Sequence, residues 1–365
     1  MGSIPELERR LLLASSDAER LPALLELARE HSAAFRNREG LRAAREALTI
    51  ARRANDTLHV GRALAVATLC HYQRGDYVSA VATGVDAVEA CADGDISSRS
   101  RALQSIALAL FSVESFELAE KAAERSVTDA RVSGDREREA YACNVYGAIL
   151  GDLGRYNRAR RQFRVAAGYY RVAGDLQRLK KAASNLGHTY RKQGVASADE
   201  PRLARMYWTH ALRVYRIALA SSRHDPDDAI ILGSISECEC RLGQVEEAYA
   251  DVGRALDLVR KSPNPAVLAN CHLWEGYILQ KLGEIHGAQR AFERACEAAA
   301  TLEHDPVRVT CLQALASLLR ARGEEARARE LEKRADECAW ERSAFLAEVR
   351  DQLGSVWRPL DKIGM

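Results

Sequence analysis

Residues 274–306 read WEGYILQKLGEIHGAQRAFERACEAAATLEHDP. Gly283, followed by Glu284 and Ile285, marks a tight turn between two helices. Beyond it Ala288, Phe292 and Ala295 follow at helical spacing, and two small residues seven apart share one helical face and let a neighbouring helix approach closely. His304-Asp305-Pro306 then stops the chain: Asp305 is an N-cap, and Pro306 stands at the first helical position, where a missing N–H costs nothing. The stretch is helix, turn, helix, capped break.

The same punctuation recurs along the chain. The turn marks are Gly75, Glu114 in a glycine's place, Gly154, Gly194, Gly243, Gly283 and Gly323, at spacings of 39, 40, 40, 49, 40 and 40 residues. One insertion of nine residues after Gly194 explains the outlier, and Val195–Pro201 reads as a polar loop. Small residues follow each turn: Ala80/Ala87, Ala119/Ser126, Ala159/Ala166, Ala204/Ala211, Ala248/Ala255, Ala288/Ala295 and Ala328/Ala335. The repeat-end breaks are Asn55-Asp56, Gly94-Asp95, Gly134-Asp135, Gly174-Asp175, His224-Asp225, His304-Asp305 and the segment from Ser262 to Pro265. A period near forty means a stack of helical hairpins, each burying its apolar stripe only against its neighbours.

This pattern resembles the tetratricopeptide repeat. The first helix carries apolar, small, apolar, as in Leu186-Gly187, Tyr146-Gly147 and Gly276-Tyr277, and the second carries Ala159/Phe163/Ala166, Ala288/Phe292/Ala295 and Ala204/Trp208/Ala211. The long unit with its Gly-Asp link is similar to the subgroup of Leu-Gly-Asn-type scaffolds, MalT-like regulators and sensory regions of bacterial signalling proteins. The resemblance implies an all-α, right-handed superhelical solenoid of about eight hairpins. Their turns are expected near residues 39, 75, 114, 154, 194, 243, 283 and 323. The expected layout is a lead-in helix over 1–20, the array over 21–338 with a longer turn at 194–203, and a C-terminal capping helix and tail over 339–365. Phe345, Val349 and Leu353 on that last helix could also pair two chains.

Composition narrows the function. The 365 residues carry 53 Lys and Arg against 51 Asp and Glu, a net charge of +2, which gives no global attraction to nucleic acid or anionic lipid. Apolar residues make 47% and aromatics 6%, suited to a folded helical protein and not to a disordered chain or a β-sandwich. No apolar run is long enough for a membrane span, the start lacks the features of a signal peptide, and nine cysteines in Ala-rich stretches read as reduced, buried thiols, so a cytoplasmic protein is expected.

Catalytic and metal motifs are missing. There is no phosphate loop, no His-Glu-x-x-His and no Gly-x-Ser-x-Gly elbow. Cys238-Glu239-Cys240 is too tightly spaced for a zinc pair, and Cys271 and Cys311, one repeat apart, read as core. His224 and His304 read as repeat-end capping residues. No cofactor and no metal is expected.

The resemblance also implies that the first helix of each hairpin lines a groove, at positions counted so that the turn glycine is fifteenth. Position 2 carries Arg62, Arg101, Tyr141, Lys181 and Asn270, and position 9 carries Leu69, Leu108, His188 and Tyr277. Position 12 carries Tyr72, Phe111, Arg191 and Arg320, and position 13 carries Lys192, Arg241 and Lys281. Asn144 and Asn185 fall at positions 5 and 6, where an amide can hold a ligand's backbone. This register divides the groove into an apolar N-terminal half and a basic half from the fifth hairpin onward. The expected function is a non-enzymatic scaffold or adaptor, in bacterial regulation or assembly, binding a protein or peptide segment with an apolar and an acidic end. The alternative is a peptide- or ligand-sensing module that controls a separate effector.

Overall fold

The computed structural model describes residues 3–91, 94–220, 228–262 and 264–356. His224-Asp225-Pro226, Pro263 and the tail from 357 onward, with Trp357 and Pro359, lie outside the described residues. The described residues form seventeen helices and no strand.

Contacts divide the chain into two compact units: residues 1–153 with those from 348 onward, and residues 154–347. The first contains α1 (Ile4–Leu13), α2 (Asp17–Ala33), α3 (Asn37–Arg53), α4 (Thr57–Gln73), α5 (Tyr77–Ala90), α6 (Ile96–Ser112), α7 (Phe116–Val132) and α8 (Arg136–Asp152). The second contains α9 (Tyr156–Ala173), α10 (Leu176–Ala196), α11 (Pro201–Ala220), α12 (Asp228–Leu242), α13 (Val245–Lys261), α14 (Pro265–Lys281), α15 (Ile285–Ala299), α16 (Pro306–Ala321) and most of α17 (Glu325–Val356). The even-numbered helices open the hairpins and are called A helices; the odd-numbered ones from α3 onward close them and are called B helices.

The punctuation works as its chemistry requires. Gly75, Gly154, Gly243, Gly283 and Gly323 all take positive φ, as a left-handed turn demands, and Glu114 takes the same conformation at φ 61° without a glycine's freedom. Asp56, Asp95, Asp135 and Asp175 accept a hydrogen bond from the backbone N–H three residues on, and Asp305 from Val307. Each such cap stabilises its helix by about 1 kcal/mol. His304 sits at φ 57° as the left-handed stop before Asp305, and its ring stacks on Phe345 at 4.3 Å. The paired small residues are buried, Ala80, Ala119, Ala159, Ala248, Ala288 and Ala328 fully so.

Two expected turns are displaced. The first hairpin turns at Ala34–Arg36, with Phe35 left-handed at φ 57°, not near residue 39, which lies in the first turn of α3. At Gly194 there is no turn: α10 runs on to Ala196, and both α10 (21 residues) and α11 (20 residues) outgrow the usual 17. The nine-residue insertion is therefore mostly extra helix. Gly194 is small because the Trp208 ring packs there; a Cβ would stand 2.8 Å from Trp208 Cε2. The expected boundary at residue 338 also falls inside a helix, since α17 runs unbroken over 32 residues. Its Leu346, Val349 and Leu353 are buried and Phe345 is taken by His304, so the apolar side chains expected to pair two chains are used within one.

Within the first unit each A helix touches the next (α2–α4, α4–α6, α6–α8), whereas α3, α5 and α7 do not touch one another. In the second unit α10, α12, α14 and α16 touch in sequence, and α9, α11, α13 and α15 do not. Crowding one set of helices and spreading the other puts the A helices on the inner side of each stack.

Candidate ligand groove

In the first unit the expected groove residues divide by what holds them. Leu69, Leu108, Tyr141, Tyr72 and Phe111 are half-buried, and Asn144 is buried. Tyr72 and Phe111 end their A helices against the first residue of the following B helix, with ring centroids 6.4 Å from Tyr77 and 5.5 Å from Phe116. Burial, then the neighbouring Tyr77, pushes the Tyr72 hydroxyl up, and Ser112 partly offsets this with a hydrogen bond. Arg62 donates from Nε to Asp95 at 2.7 Å. Burial alone would raise the Asp95 carboxyl, but hydrogen bonds from Arg62 and Ser98 outweigh it and hold the group below its ordinary value. Arg101 makes no hydrogen bond or ion pair from its side chain among the described residues, and its Nε is buried. Burial, followed by repulsion from Arg138, pushes the Arg101 guanidinium down to about 10.

In the second unit the basic residues are mostly engaged. Arg191 donates to Glu237 at 2.5 Å and to His188 Nδ1 at 3.1 Å. Burial opposes the Arg191 charge, and Glu237 more than restores it, raising its pKa. Arg241 stands over two rings, Trp208 and Trp274, with 5.7 Å to each centroid, an arrangement that satisfies a cation without an acid. Lys281 Nζ donates to the Cys240 carbonyl at 2.7 Å, in the last turn of α12, where the helix dipole favours a cation. Arg320 pairs with Glu332 of α17 at 2.5 Å. Tyr277 packs edge-on against Phe292 at 5.1 Å and belongs to the core. Lys181 and Asn270 are exposed, while the neighbouring Lys180 is buried on Asp228 at 3.1 Å. Asn185 and Lys192 are half-buried and have partners of their own. The expected basic half is therefore largely compensated inside the protein, and half-buried cations without a hydrogen bond or ion pair among the described residues lie in the first unit instead.

The fixed register missed Arg29 on α2 and Arg138 on α8. Arg29 precedes the left-handed Phe35 by six residues, Arg62 precedes Gly75 by thirteen, Arg101 precedes Glu114 by thirteen and Arg138 precedes Gly154 by sixteen. Arg62 and Arg101 share position 2, but Arg29 and Arg138 fall at other places in their repeats, so no single repeat position collects all four. The cysteines are core groups. Burial pushes the Cys91 and Cys271 thiols up to about 12 and Cys143 to about 11, away from the thiolate that a nucleophile or metal ligand needs. Cys238 and Cys240 are buried on α12 and shifted in the same direction.

No protein-family model matches this chain, and no curated protein matches it in sequence. Solved structures do match. The apo form of the quorum sensor NprR from B. thuringiensis is similar with a TM-score of 0.62 at 11% identity, over 92% of this chain and 92% of that one. The Rap conjugation gene regulator of plasmid pLS20, in complex with the Phr* peptide, gives 0.56 at 16% identity, over 91% and 97%. A tetratricopeptide repeat protein from Parabacteroides merdae gives 0.51 at 16% identity, over 81% and 99%. The fold is of the tetratricopeptide type. The hairpins, their left-handed turns and their small-residue seams are those of that fold, and at these identities the likeness is one of fold.

Proposed function

We propose that this chain is a non-enzymatic adaptor or regulator that takes a peptide, or an extended segment of a protein, along its A helices. The observation that carries the reading is the run of half-buried Leu69, Tyr72, Leu108, Phe111 and Tyr141 on consecutive A helices, interleaved with Arg62 and Arg101. Aromatic and aliphatic anchors supply affinity, and flanking charge supplies orientation and on-rate. The buried thiols, with pKa values raised by burial, are not set up for nucleophilic chemistry. No helix among the described residues is long and apolar enough to cross a membrane, in keeping with action in the cytoplasm.

A second reading makes the chain a peptide sensor that controls a separate effector. It is favoured by the fold-level likeness to a quorum sensor and to a gene regulator solved with its peptide. Both readings share the same groove. Selection of a displayed random-peptide library on the immobilised protein tests it. Selected peptides are expected to bind a Phe111→Ala, Tyr141→Ala double variant at least roughly tenfold more weakly, the loss of one or two interface anchors. Equal binding to a variant of unchanged helicity would remove the groove from the account.

A further inference from the structure

Arg29, Arg62, Arg101 and Arg138 come from α2, α4, α6 and α8, and their charges are felt by one another. Repulsion from Arg101 and Arg62 adds to burial in lowering the Arg29 guanidinium, and repulsion from Arg138 adds to burial in lowering Arg101. The acids within reach are few and occupied. Asp95 accepts from Arg62 Nε, Ser98 N and Ser98 Oγ; Asp135 caps α8 and accepts from Ser97; Glu26 pairs with Arg10 at 3.3 Å. Arg138 is held over the Tyr141 ring, 4.7 Å from its centroid, and donates to Gln104 at 2.7 Å. Arg29 and Arg101 are different: neither side chain makes a hydrogen bond or ion pair among the described residues, and the Nε of each is buried. A buried N–H ordinarily carries an acceptor, because leaving it unpaired is costly. Two such side chains, both half-buried and within electrostatic reach of one another, describe a site built for an anion supplied from outside.

We propose that Arg29 and Arg101, flanked by Arg62 and Arg138, bind a carboxylate of the peptide that occupies the groove. This inference rests on the peptide-binding reading above. A guanidinium fork matches a planar carboxylate, and the two charges would lose their repulsion when it binds. The charge pattern favours a singly charged group. Asp95 and Asp135 already lie within the electrostatic reach of Arg101, so a carboxylate continues an alternation of signs, whereas the second charge of a phosphoryl group faces them. Tyr141 joins the two parts of the site: Arg138 stands over its ring, and Tyr72 lies within its electrostatic reach. The peptide's acidic residue therefore sits beside its apolar anchors, on the same A helices, and not at the far end of an extended ligand.

The test uses the full chain and four hexapeptide libraries, each with one position fixed. The first fixes Asp or Glu with an amidated C-terminus, and the second fixes Asn or Gln with the same terminus. The third carries Asn or Gln with a free C-terminus, and the fourth carries phosphoserine. Wild type is expected to enrich the first or the third library over the second by roughly tenfold or more, the worth of a charge-assisted pair. Which of the two wins assigns the carboxylate to a side chain or to a chain end. Arg101→Gln should abolish that preference, Arg101→Lys should keep part of it, and Arg171→Gln, an exposed arginine at the end of α9, should leave it intact. Because Arg101 has no hydrogen bond to lose, Arg101→Gln should keep its helicity; as a check on unmodified protein, excess N-acetyl-aspartate amide should displace the peptides and N-acetyl-asparagine amide should not. Equal enrichment of acidic and amide libraries, a preference that survives Arg101→Gln, or a win by phosphoserine alone overturns the carboxylate site while leaving the peptide groove standing. Retention of no peptide from any library overturns both.

Discussion

The A helices of the two units carry similar numbers of cations and treat them differently. In the second unit Arg191 lies on Glu237, Lys180 on Asp228, Lys281 on a helix-end carbonyl and Arg241 between two tryptophans. In the first unit Arg62 has Asp95, but the side chains of Arg29 and Arg101 make no hydrogen bond or ion pair among the described residues. A buried N–H without an acceptor is a cost to stability, and such costs persist where a ligand removes them.

Three substitutions sharpen this contrast, in descending order of effect. Glu237→Ala strands Arg191 in the second unit and should cost about 3 kcal/mol in chemical denaturation, the penalty for breaking a largely buried pair. A loss below about 1 kcal/mol would mean that solvent already screens the pair. Asp95→Asn in the first unit weakens a cap and removes the one acid holding Arg62, and should cost about 2 kcal/mol at neutral pH. Its pH dependence has a definite sign. The folded Asp95 pKa lies below its ordinary 3.8, so its stabilisation is present above that value and is lost as pH falls through the folded pKa. Acid titration of stability should therefore be shallower in Asp95→Asn than in wild type. Arg101→Gln should be the mildest, within about 0.5 kcal/mol of wild type or more stable, because it removes a charge and no hydrogen bond. A loss above about 2 kcal/mol would show that Arg101 is a structural residue and erase the contrast between the units.

The repeat was legible because its marks are local. Gly283, Asp305 and the Ala288/Ala295 pair act within a few residues of themselves, and each does in the structure what its spacing implies. Gly194 misled because a glycine can serve two ends: a left-handed turn, or room for a neighbour. Only the packed Trp208 ring distinguishes them, and that contact lies fourteen residues away. Glu114 shows the reverse, a left-handed turn held without glycine, which the spacing of 39 and 40 residues to its neighbours still located. The placement of the candidate groove residues was half legible. Register put Arg62, Arg101, Tyr72 and Tyr141 on the inner helices, but it could not tell that Arg191 meets Glu237, 46 residues on, or that Arg29 and Arg138 join the array. Charge compensation is a property of pairs across repeats, and residues that stand at different places in successive repeats escape any fixed position.

The most direct measurement is amide hydrogen exchange of the full chain with and without a peptide selected from the display library. A ligand seated on the inner face of the first stack should slow exchange in α4, α6 and α8, around Arg62, Arg101 and Tyr141, and leave the exposed B-helix segments of that stack unchanged. Protection confined to B helices, or to α10 through α16, would contradict the account.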